Sequence, residues 1–367
     1  MQIELMSSRK FAASHAPSSA APEPASLQAL HRLLAQGLAL PPEYRQGLSN
    51  HLPMVLQALH GLGASEAQMA RFFASYRSHF DAEAEHPIAV DGGQEAEQDW
   101  LSLRGRDGAY PVLLAYFQQA LRAQGLDAVM REAVPHLLPG ISGAAFHGLI
   151  RVAHALASGY EPELAAGLAY WAWRWQRLEA APAMPASERL PFDSWALAIQ
   201  LEARHWRSQP GLISARMLEA SRTSIYRGLA GRLLAADSAQ ERLDQFARLA
   251  VQSYVGSANF TVLHMITGLR ALRALLPWLP ASLDLQLLLT EHFTAAYLAA
   301  NLTPLRSDAR ERQTENWAWP DLIAQTLESK DDHLIKLVYA CQQEALRAGD
   351  ASVYLQAVRL ACARAQD

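Results

Sequence analysis

Cysteine is nearly absent from this 367-residue sequence, which contains only Cys341 and Cys362. Two cysteines near one end cannot form a disulfide framework, and they cannot complete a zinc site without other ligands. No apolar run approaches the ~20 residues that a membrane-spanning helix needs. Residues 1–25 also lack the long apolar segment of a secretory signal. These absences predict a soluble, cytoplasmic protein that does not bind membranes.

An excess of positive charge is missing as well. The 32 lysine and arginine residues are outnumbered by 36 acidic residues, which gives a net charge of −4. Without a basic block, nucleic acid is not an expected partner. Half of the residues are hydrophobic, which in a chain of this length is enough for a large globular core. Composition leaves the oligomeric state open.

Lysine is the scarcest basic residue, because only Lys10, Lys330 and Lys336 occur. Lys336 lies in the apolar stretch DDHLIKLVYAC, whereas the other two lie in polar surroundings. A buried lysine, unlike an arginine, can lose its proton. Two interpretations remain open. Its stem packs on the apolar face while the ammonium reaches water, or the neutral amine takes up carbon dioxide and becomes an anionic carbamate ligand.

The hydrophobic pattern is helical nearly everywhere from Ser26 onward, and alternating strand patterns are scarce. This predicts an all-α protein with one large multi-helix domain over residues 26–367, with room for two lobes around a central histidine-rich cavity. Residues 1–25 are predicted to be a disordered tail. Ser65 and Gln68 form a predicted capping box. The predicted helices are 49–61, 65–80, 110–123, 143–157, 162–178, 192–207, 211–219, 222–235, 239–254, 258–277, 282–300, 317–328, 331–347 and 351–364.

Most common catalytic motifs are missing from the sequence. No glycine-rich phosphate loop follows a strand, and HExxH, GxSxG and CxxC do not occur. Glu83 and His86 have the ExxH spacing of di-iron helical bundles, but such bundles need two copies and Pro87 follows directly. We therefore do not assign a di-iron site.

Histidines within apolar helical segments are the most informative residues. There are thirteen histidines in all, and five of them have this environment: His51, His147, His154, His264 and His333. For any single one, a hydrogen-bonded core histidine is the more common interpretation. Five on several helices of one bundle make a multi-histidine metal site as good an interpretation as structural histidines, since imidazole suits zinc, copper, iron and nickel. The lysine three residues after His333 can reach the same pocket.

Two groups of aromatic residues are candidates for the walls of a cavity that binds a flat aromatic ligand. They are Tyr170, Trp171, Trp173 and Trp175 in one helix, and Trp317 with Trp319 near the C-terminal end. Simple packing is the favoured interpretation, because large aromatic residues dominate protein cores. One or two of them lining a ligand cavity is the alternative.

Four motifs together resemble the questin oxidase-like family, from about residue 26 to about residue 364. In chain order they are SNHLPMVLQALHGLGAS, PGISGAAFHGLIRVAHAL, FTVLHMITGLRAL and DDHLIKLVYA. The resemblance implies an oxygenase, because fungal members oxidatively open the ring of anthraquinones such as questin, with a Baeyer–Villiger-type outcome. It also implies non-haem ferrous iron held by histidines and a carboxylated lysine.

Position by position, the resemblance implies these metal ligands and catalytic residues: His51, His147, His264, His333 and Lys336. It places Asn50 and His154 in the pocket or in the layer that supports the ligands. Fungal members carry additional histidines near Met54 and Arg151, and their absence here puts the fungal substrate in doubt more than the metal.

The expected function is therefore an iron-dependent oxygenase that uses dioxygen and acts on a small polycyclic aromatic or quinone-type molecule. No nucleotide-binding fingerprint is visible, so NADPH is expected only as a freely diffusing, external reductant. Two alternatives remain. One is a zinc-dependent hydrolase that uses the same site, and the other is a non-enzymatic α-helical binding or scaffold protein with structural histidines.

Overall fold

The fold is known from a computed structural model, which describes residues 24–45, 47–80, 99–280, 284–303 and 316–365. These residues form sixteen α-helices and one antiparallel two-stranded hairpin, β1 (Glu43–Tyr44) with β2 (Leu48–Ser49). The helices are α1 (Pro24–Gly37), α2 (Leu52–Gly61), α3 (Glu66–Arg77), α4 (Tyr110–Gln124), α5 (Leu126–Leu137), α6 (His147–Ser158), α7 (Glu161–Trp173), α8 (Phe192–Glu202), α9 (Ile213–Ser221), α10 (Ser224–Ala230), α11 (Ala239–Val255), α12 (Phe260–Ala274), α13 (Leu285–Ala299), α14 (Trp319–Leu327), α15 (Asp332–Ala345) and α16 (Ser352–Arg364). The prediction of an all-α protein is confirmed.

Local signals explain where the helices begin and where the predictions failed. The capping box of Ser65 and Gln68 opens α3, as predicted. Helices α1 and α5 were not among the predicted helices, and Pro135 in the last turn of α5 indicates a break. The predicted tail lies outside the described residues except for its last two, and the Glu83–His86 motif lies entirely outside them.

Four helices at the centre of the molecule pack in a closed cycle. Helix α2 contacts α6 and α15, and α12 contacts the same two helices. These helices are buried on nearly all sides, and nine of the ten residues of α2 are buried. Helices buried on all sides lie in the interior of a domain. The four helices therefore form the core around which the others are arranged.

A glycine lets α6 approach α7 closely. A Cβ atom on Gly148 would lie 2.6 Å from the Cα atom of Trp171. Any side chain at this position would push the two backbones apart. Because His147 is the neighbouring residue, the close contact also fixes the start of α6.

In the part of the chain that the structure describes, no helix has both the length and the apolarity that a bilayer crossing requires.

Candidate metal centre

Four histidine rings meet at one end of the central helices. His51 immediately precedes α2, His147 is the first residue of α6, His264 is the fifth of α12, and His333 is the second of α15. The ring centroids of His51 and His147 are 4.6 Å apart, and those of His51 and His333 are 4.7 Å apart. His264 closes the cycle, 4.9 Å from His147 and 5.3 Å from His333. The N-terminal ends of four helices thus converge on one cluster.

One carboxylate orients two of these rings. The Oδ2 atom of Asp332 accepts a hydrogen bond from Nδ1 of His51 at 2.8 Å. Its Oδ1 atom lies 2.5 Å from Nδ1 of His333. Since a carboxylate oxygen only accepts, each Nδ1 carries the proton and each Nε2 keeps its lone pair. Histidines that bind metals are oriented in this way, because the ring nitrogen that does not bind the metal donates a hydrogen bond to a nearby acceptor.

Backbone carbonyl oxygens orient the other two rings in the same sense. Nδ1 of His147 donates to the oxygen of Ala144 at 2.5 Å, and Nδ1 of His264 donates to that of Phe260 at 2.8 Å. The Nε2 atom of His147 is buried and has no hydrogen-bond partner among the described residues. A buried nitrogen without a partner is costly unless a ligand completes it.

The nitrogen atoms are close enough to share one ion. Ring nitrogens of His51, His147 and His333 lie within 4.8 Å of one another. Two nitrogens bound to one ion at about 2.1 Å are at most ~4.2 Å apart, so small ring rotations suffice. His264 is next to this trio. The donor atoms, their tautomers and their spacing therefore fit a metal ion.

The four imidazoles are neutral at neutral pH. Burial lowers the pKa of His51 to about 3, and the nearby charge of Lys336 adds to the shift. Burial likewise lowers the pKa values of His147, His264 and His333 below the ordinary value. A metal ligand must be deprotonated, and here the protein interior already favours that form.

Asp332 supplies the negative charge beside the cluster. Burial disfavours its ionised form, but the hydrogen bonds from His333 and His51 outweigh burial and hold the pKa of Asp332 well below its usual range. The carboxylate is therefore ionised at all physiological pH values. This residue was not predicted from the sequence, although its position directly before His333 was the available signal.

Lys336 lies next to the same cluster and is only 2% exposed. Its charge contributes to lowering the pKa of all four site histidines. Burial lowers the pKa of Lys336 itself to about 8, although Asp332 and Asp331 oppose the shift. The interpretation of an ammonium that reaches water does not agree with this burial.

A left-handed turn leads into His147. Ala144, Ala145 and Phe146 have φ angles of 47°, 57° and 68°, a conformation that costs non-glycine residues roughly 1–2 kcal/mol each. The turn places the oxygen of Ala144 beside the imidazole of His147. The helix consequently begins at His147. The hydrophobic pattern predicted a start at residue 143, and that prediction is wrong. Such strain persists where the surrounding structure enforces it, often at functional sites.

A cavity of about 400 Å³ opens onto all four histidines, within the size range of small-molecule sites. Three of its lining residues are exposed apolar side chains: Leu48, Leu212 and Phe260 are 42%, 49% and 51% exposed. The ring of Phe260 lies 4.7 Å from that of His264 and 4.5 Å from that of His333. An apolar mouth therefore leads directly to the imidazoles.

Comparison with known families agrees with this geometry. The questin oxidase-like family matches residues 48–341, a segment that contains the four histidines and Lys336. The chain belongs to the questin oxidase-like family. Among curated proteins, none matches the chain. Membership in the family implies that the chain is an oxidase.

Two further residues that the family resemblance suggested lie outside the cavity wall. Asn50 accepts a hydrogen bond from the backbone N–H of Leu52 and donates one to the oxygen of Pro41, both at 3.0 Å. It therefore fixes the backbone on both sides of the first site histidine. Nδ1 of His154 donates to Oε1 of Gln57 at 2.5 Å, in a polar layer behind the cluster.

The aromatic residues considered from the sequence do not line this cavity. Tyr170, Trp171 and Trp319 are each 1% exposed and belong to the core, so the packing interpretation fits them. Tyr44 and Phe260 are the tyrosine and phenylalanine residues that line the described part of the cavity. The sequence offered only a weak signal for Phe260, which precedes His264 by one helical turn.

Arg151 has a structural partner in this member of the family. Its guanidinium donates two hydrogen bonds to the carboxylate of Glu163, at 2.6 and 3.1 Å. Both side chains are buried, so the pair links α6 to α7.

Proposed function

We propose that this protein is a non-haem iron-dependent oxygenase. Its substrate would be a polycyclic aromatic or quinone-type compound, opened oxidatively with a Baeyer–Villiger-type outcome. The observation that carries the proposal is the cluster of four neutral imidazoles at the inner end of an apolar cavity. The family, which implies an oxidase, supports the same reaction class.

The proposed ligands are the residues that the sequence motifs indicated, namely His51, His147, His264, His333 and a carboxylated Lys336. Four fixed Nε2 lone pairs match the preference of ferrous iron for imidazole. The buried, unpartnered Nε2 atom of His147 is the strongest sign that this set is incomplete without a cation.

Charge balance favours the carboxylation of Lys336. The positive ends of four helix dipoles converge on the cluster, and neutral imidazoles bring no negative charge. At a pKa of about 8, about one Lys336 amine in ten is neutral at pH 7. A neutral amine attacks carbon dioxide, an N–C bond forms, and one proton leaves. Together with the ionised Asp332, the resulting carbamate would balance the charge of a divalent cation.

Bound ferrous iron would supply the centre at which dioxygen is activated. The chain's own residues would hold the substrate between the apolar side chains of the mouth and exclude bulk water from the imidazoles. Inserting one oxygen atom of dioxygen into the substrate, with the other released as water, consumes two electrons and two protons. We assign these electrons to NADPH acting as an external reductant.

Metal analysis combined with anaerobic reconstitution tests the proposal. Protein purified without added metal is loaded with ferrous iron or with zinc, and dioxygen uptake is measured with a dihydroxyanthraquinone and NADPH. Substrate-dependent uptake with iron alone is the expected result. Hydrolytic activity with zinc and no uptake with iron would indicate the hydrolase alternative. Absence of metal binding, with a thermal midpoint unaffected by chelator, would indicate a binding or scaffold protein.

A matched pair of histidine variants distinguishes a role in binding the metal from a role in packing the core. His264→Ala removes a cluster member, whereas His292→Gln changes a buried histidine whose Nδ1 atom is 2.9 Å from Oγ of Ser142, outside the cavity wall. We expect His264→Ala to lose iron and dioxygen uptake while His292→Gln keeps both. Equal loss in the two variants would contradict the assignment.

A further inference from the structure

An arginine with an unused donor lies in the wall of the same cavity. Arg216 is the fourth residue of α9 and lines the cavity together with the four histidines. Its Nη2 atom donates to Oγ1 of Thr261 at 2.8 Å. Its Nε atom is buried and has no hydrogen-bond partner within the described ranges. One N–H of a charged group is thus removed from water without compensation.

Arg242, which is buried, donates to Oε1 of Gln245 and to the backbone oxygen of Leu234, but three other buried or half-buried arginines have a carboxylate partner. Arg151 is paired with Glu163, Arg174 with Glu43, and Arg273 with Glu344. Arg216 has no such ion pair among the described residues, and no aspartate or glutamate is found in the described wall of the cavity. Burial lowers the pKa of Arg216, and no neighbouring charge opposes that shift. An anion bound in the cavity would supply the charged partner that Arg216 lacks among the described residues.

Helix dipoles add positive potential at the inner end of the cavity, where Asp332 is the carboxylate that contacts the cluster. The N-terminal ends of α2, α6, α12 and α15 meet at the histidine cluster, and the N-terminal end of a helix attracts negative charge. The rim is apolar, since the exposed side chains of Leu212 and Phe260 line the same cavity as Arg216. The cavity thus combines an apolar mouth with one free cationic donor.

We propose that Arg216 binds an ionised oxygen of the substrate, a phenolate or a carboxylate on an aromatic body. This inference rests on the proposed function in taking the cavity as the substrate site. A guanidinium forms directional, charge-assisted hydrogen bonds with such a group. The aromatic body would lie against Phe260 and Leu212, and the far end would face the imidazoles. Arg216 would then select anionic aromatic compounds over neutral ones.

Binding of matched probes to the metal-free protein tests this inference. The probes are anthraquinone-2-carboxylate, the neutral anthraquinone-2-carboxamide, and 2-hydroxyanthraquinone above and below the pH at which its hydroxyl ionises. Dissociation constants are measured by quenching of tryptophan fluorescence. We expect the wild type to bind the carboxylate at least tenfold more tightly than the amide, with an affinity that falls as salt is added. Tighter binding of the phenolate form would extend the selectivity to phenolates.

Variants assign the selectivity to Arg216. Arg216→Gln should weaken carboxylate binding by about tenfold to a hundredfold and leave amide binding unchanged, whereas Arg216→Lys should keep most of the preference. The control is Arg222→Gln, which removes the same charge from the exposed C-terminal end of α9. Thermal midpoints confirm that each variant is folded.

Three outcomes would overturn the inference: no probe binding by the wild type, no preference for the carboxylate, or equal weakening of both probes by Arg216→Gln. Because these measurements involve no iron, they are independent of the test of the proposed function. A protein that binds no iron yet shows the Arg216-dependent preference would refute the oxygenase and keep the anion site.

Discussion

Asp332 accepts a hydrogen bond from Nδ1 of His51 at 2.8 Å, although 281 positions separate the two residues in the sequence. Its second oxygen accepts from Nδ1 of His333. One carboxylate therefore joins the start of α2 to the start of α15 and sets the tautomers of two proposed ligands. Its position makes it the most informative supporting residue to change.

We expect Asp332→Asn to weaken ferrous iron binding by about tenfold to a hundredfold, as measured by anaerobic competition with a chelator. An amide offers one acceptor oxygen instead of two, so one of the two imidazoles loses its partner, and the negative charge is lost. Asp331→Asn is the control, because Asp331 is exposed and caps α15 by accepting from two backbone N–H groups, a role that asparagine also performs. Equal effects of the two variants would show that Asp332 contributes only charge at a distance.

Gly148→Ala should destabilise the protein by about 1–3 kcal/mol and weaken iron binding. The new Cβ atom would lie 2.6 Å from the backbone of Trp171, so α6 must move and carry His147 with it. Gly228→Ala is the matched control, since Gly228 lies in α10 and a Cβ atom there would meet no atom within 4 Å. Urea unfolding and iron titration of both variants check the prediction. If Gly148→Ala has the stability and the iron affinity of the wild type, α6 and α7 can move apart without a loss of folding free energy.

Most of the helices were predicted from the sequence because they depend on local patterns, and the histidines of the cluster were singled out by their apolar segments and by the family motifs. Helical periodicity, the capping box of α3 and the histidines in apolar segments are all visible over a few residues. The left-handed turn before His147 was not predictable, since alanine and phenylalanine ordinarily favour the right-handed conformation. Arg216 and Phe260 were missed for another reason. Their role depends on which distant helices meet at the cavity, and the spacing of residues within one helix does not contain that information.

The metal-free protein should lose stability as the pH falls from about 6.5 towards 3, and His292 should account for part of the loss. Burial lowers the pKa of His292 to about 3, whereas the unfolded chain takes up this proton near pH 6.5. The stabilisation is therefore fully present above pH 6.5 and declines below it, with a slope of roughly 1.4 kcal/mol per pH unit for one group.

Urea unfolding of wild type and His292→Gln at pH 7, 6, 5 and 4 measures this slope. The buried site histidines contribute with the same sign in both proteins, so the difference between the two slopes isolates His292. We expect the variant to depend less steeply on pH, whatever its stability at pH 7. Identical slopes would show that His292 becomes protonated as readily in the folded protein as in the unfolded chain.

Lys336 provides the most specific prediction, because arginine has replaced lysine almost everywhere else in this chain. If a carbamate on Lys336 is a ligand, Lys336→Arg should lose iron and dioxygen uptake as completely as Lys336→Ala, since a guanidinium stays cationic and cannot become an anionic ligand. Lys336→Glu should restore part of the iron content, because it returns a carboxylate on a shorter stem. Lys330→Arg, at an exposed position, should behave like the wild type.

Iron content and dioxygen uptake are measured with and without bicarbonate, and ¹³C-labelled bicarbonate should give a carbamate signal that is absent from Lys336→Arg. If Lys336→Arg binds iron and consumes dioxygen like the wild type, the lysine is a buried cation with no part in the metal site.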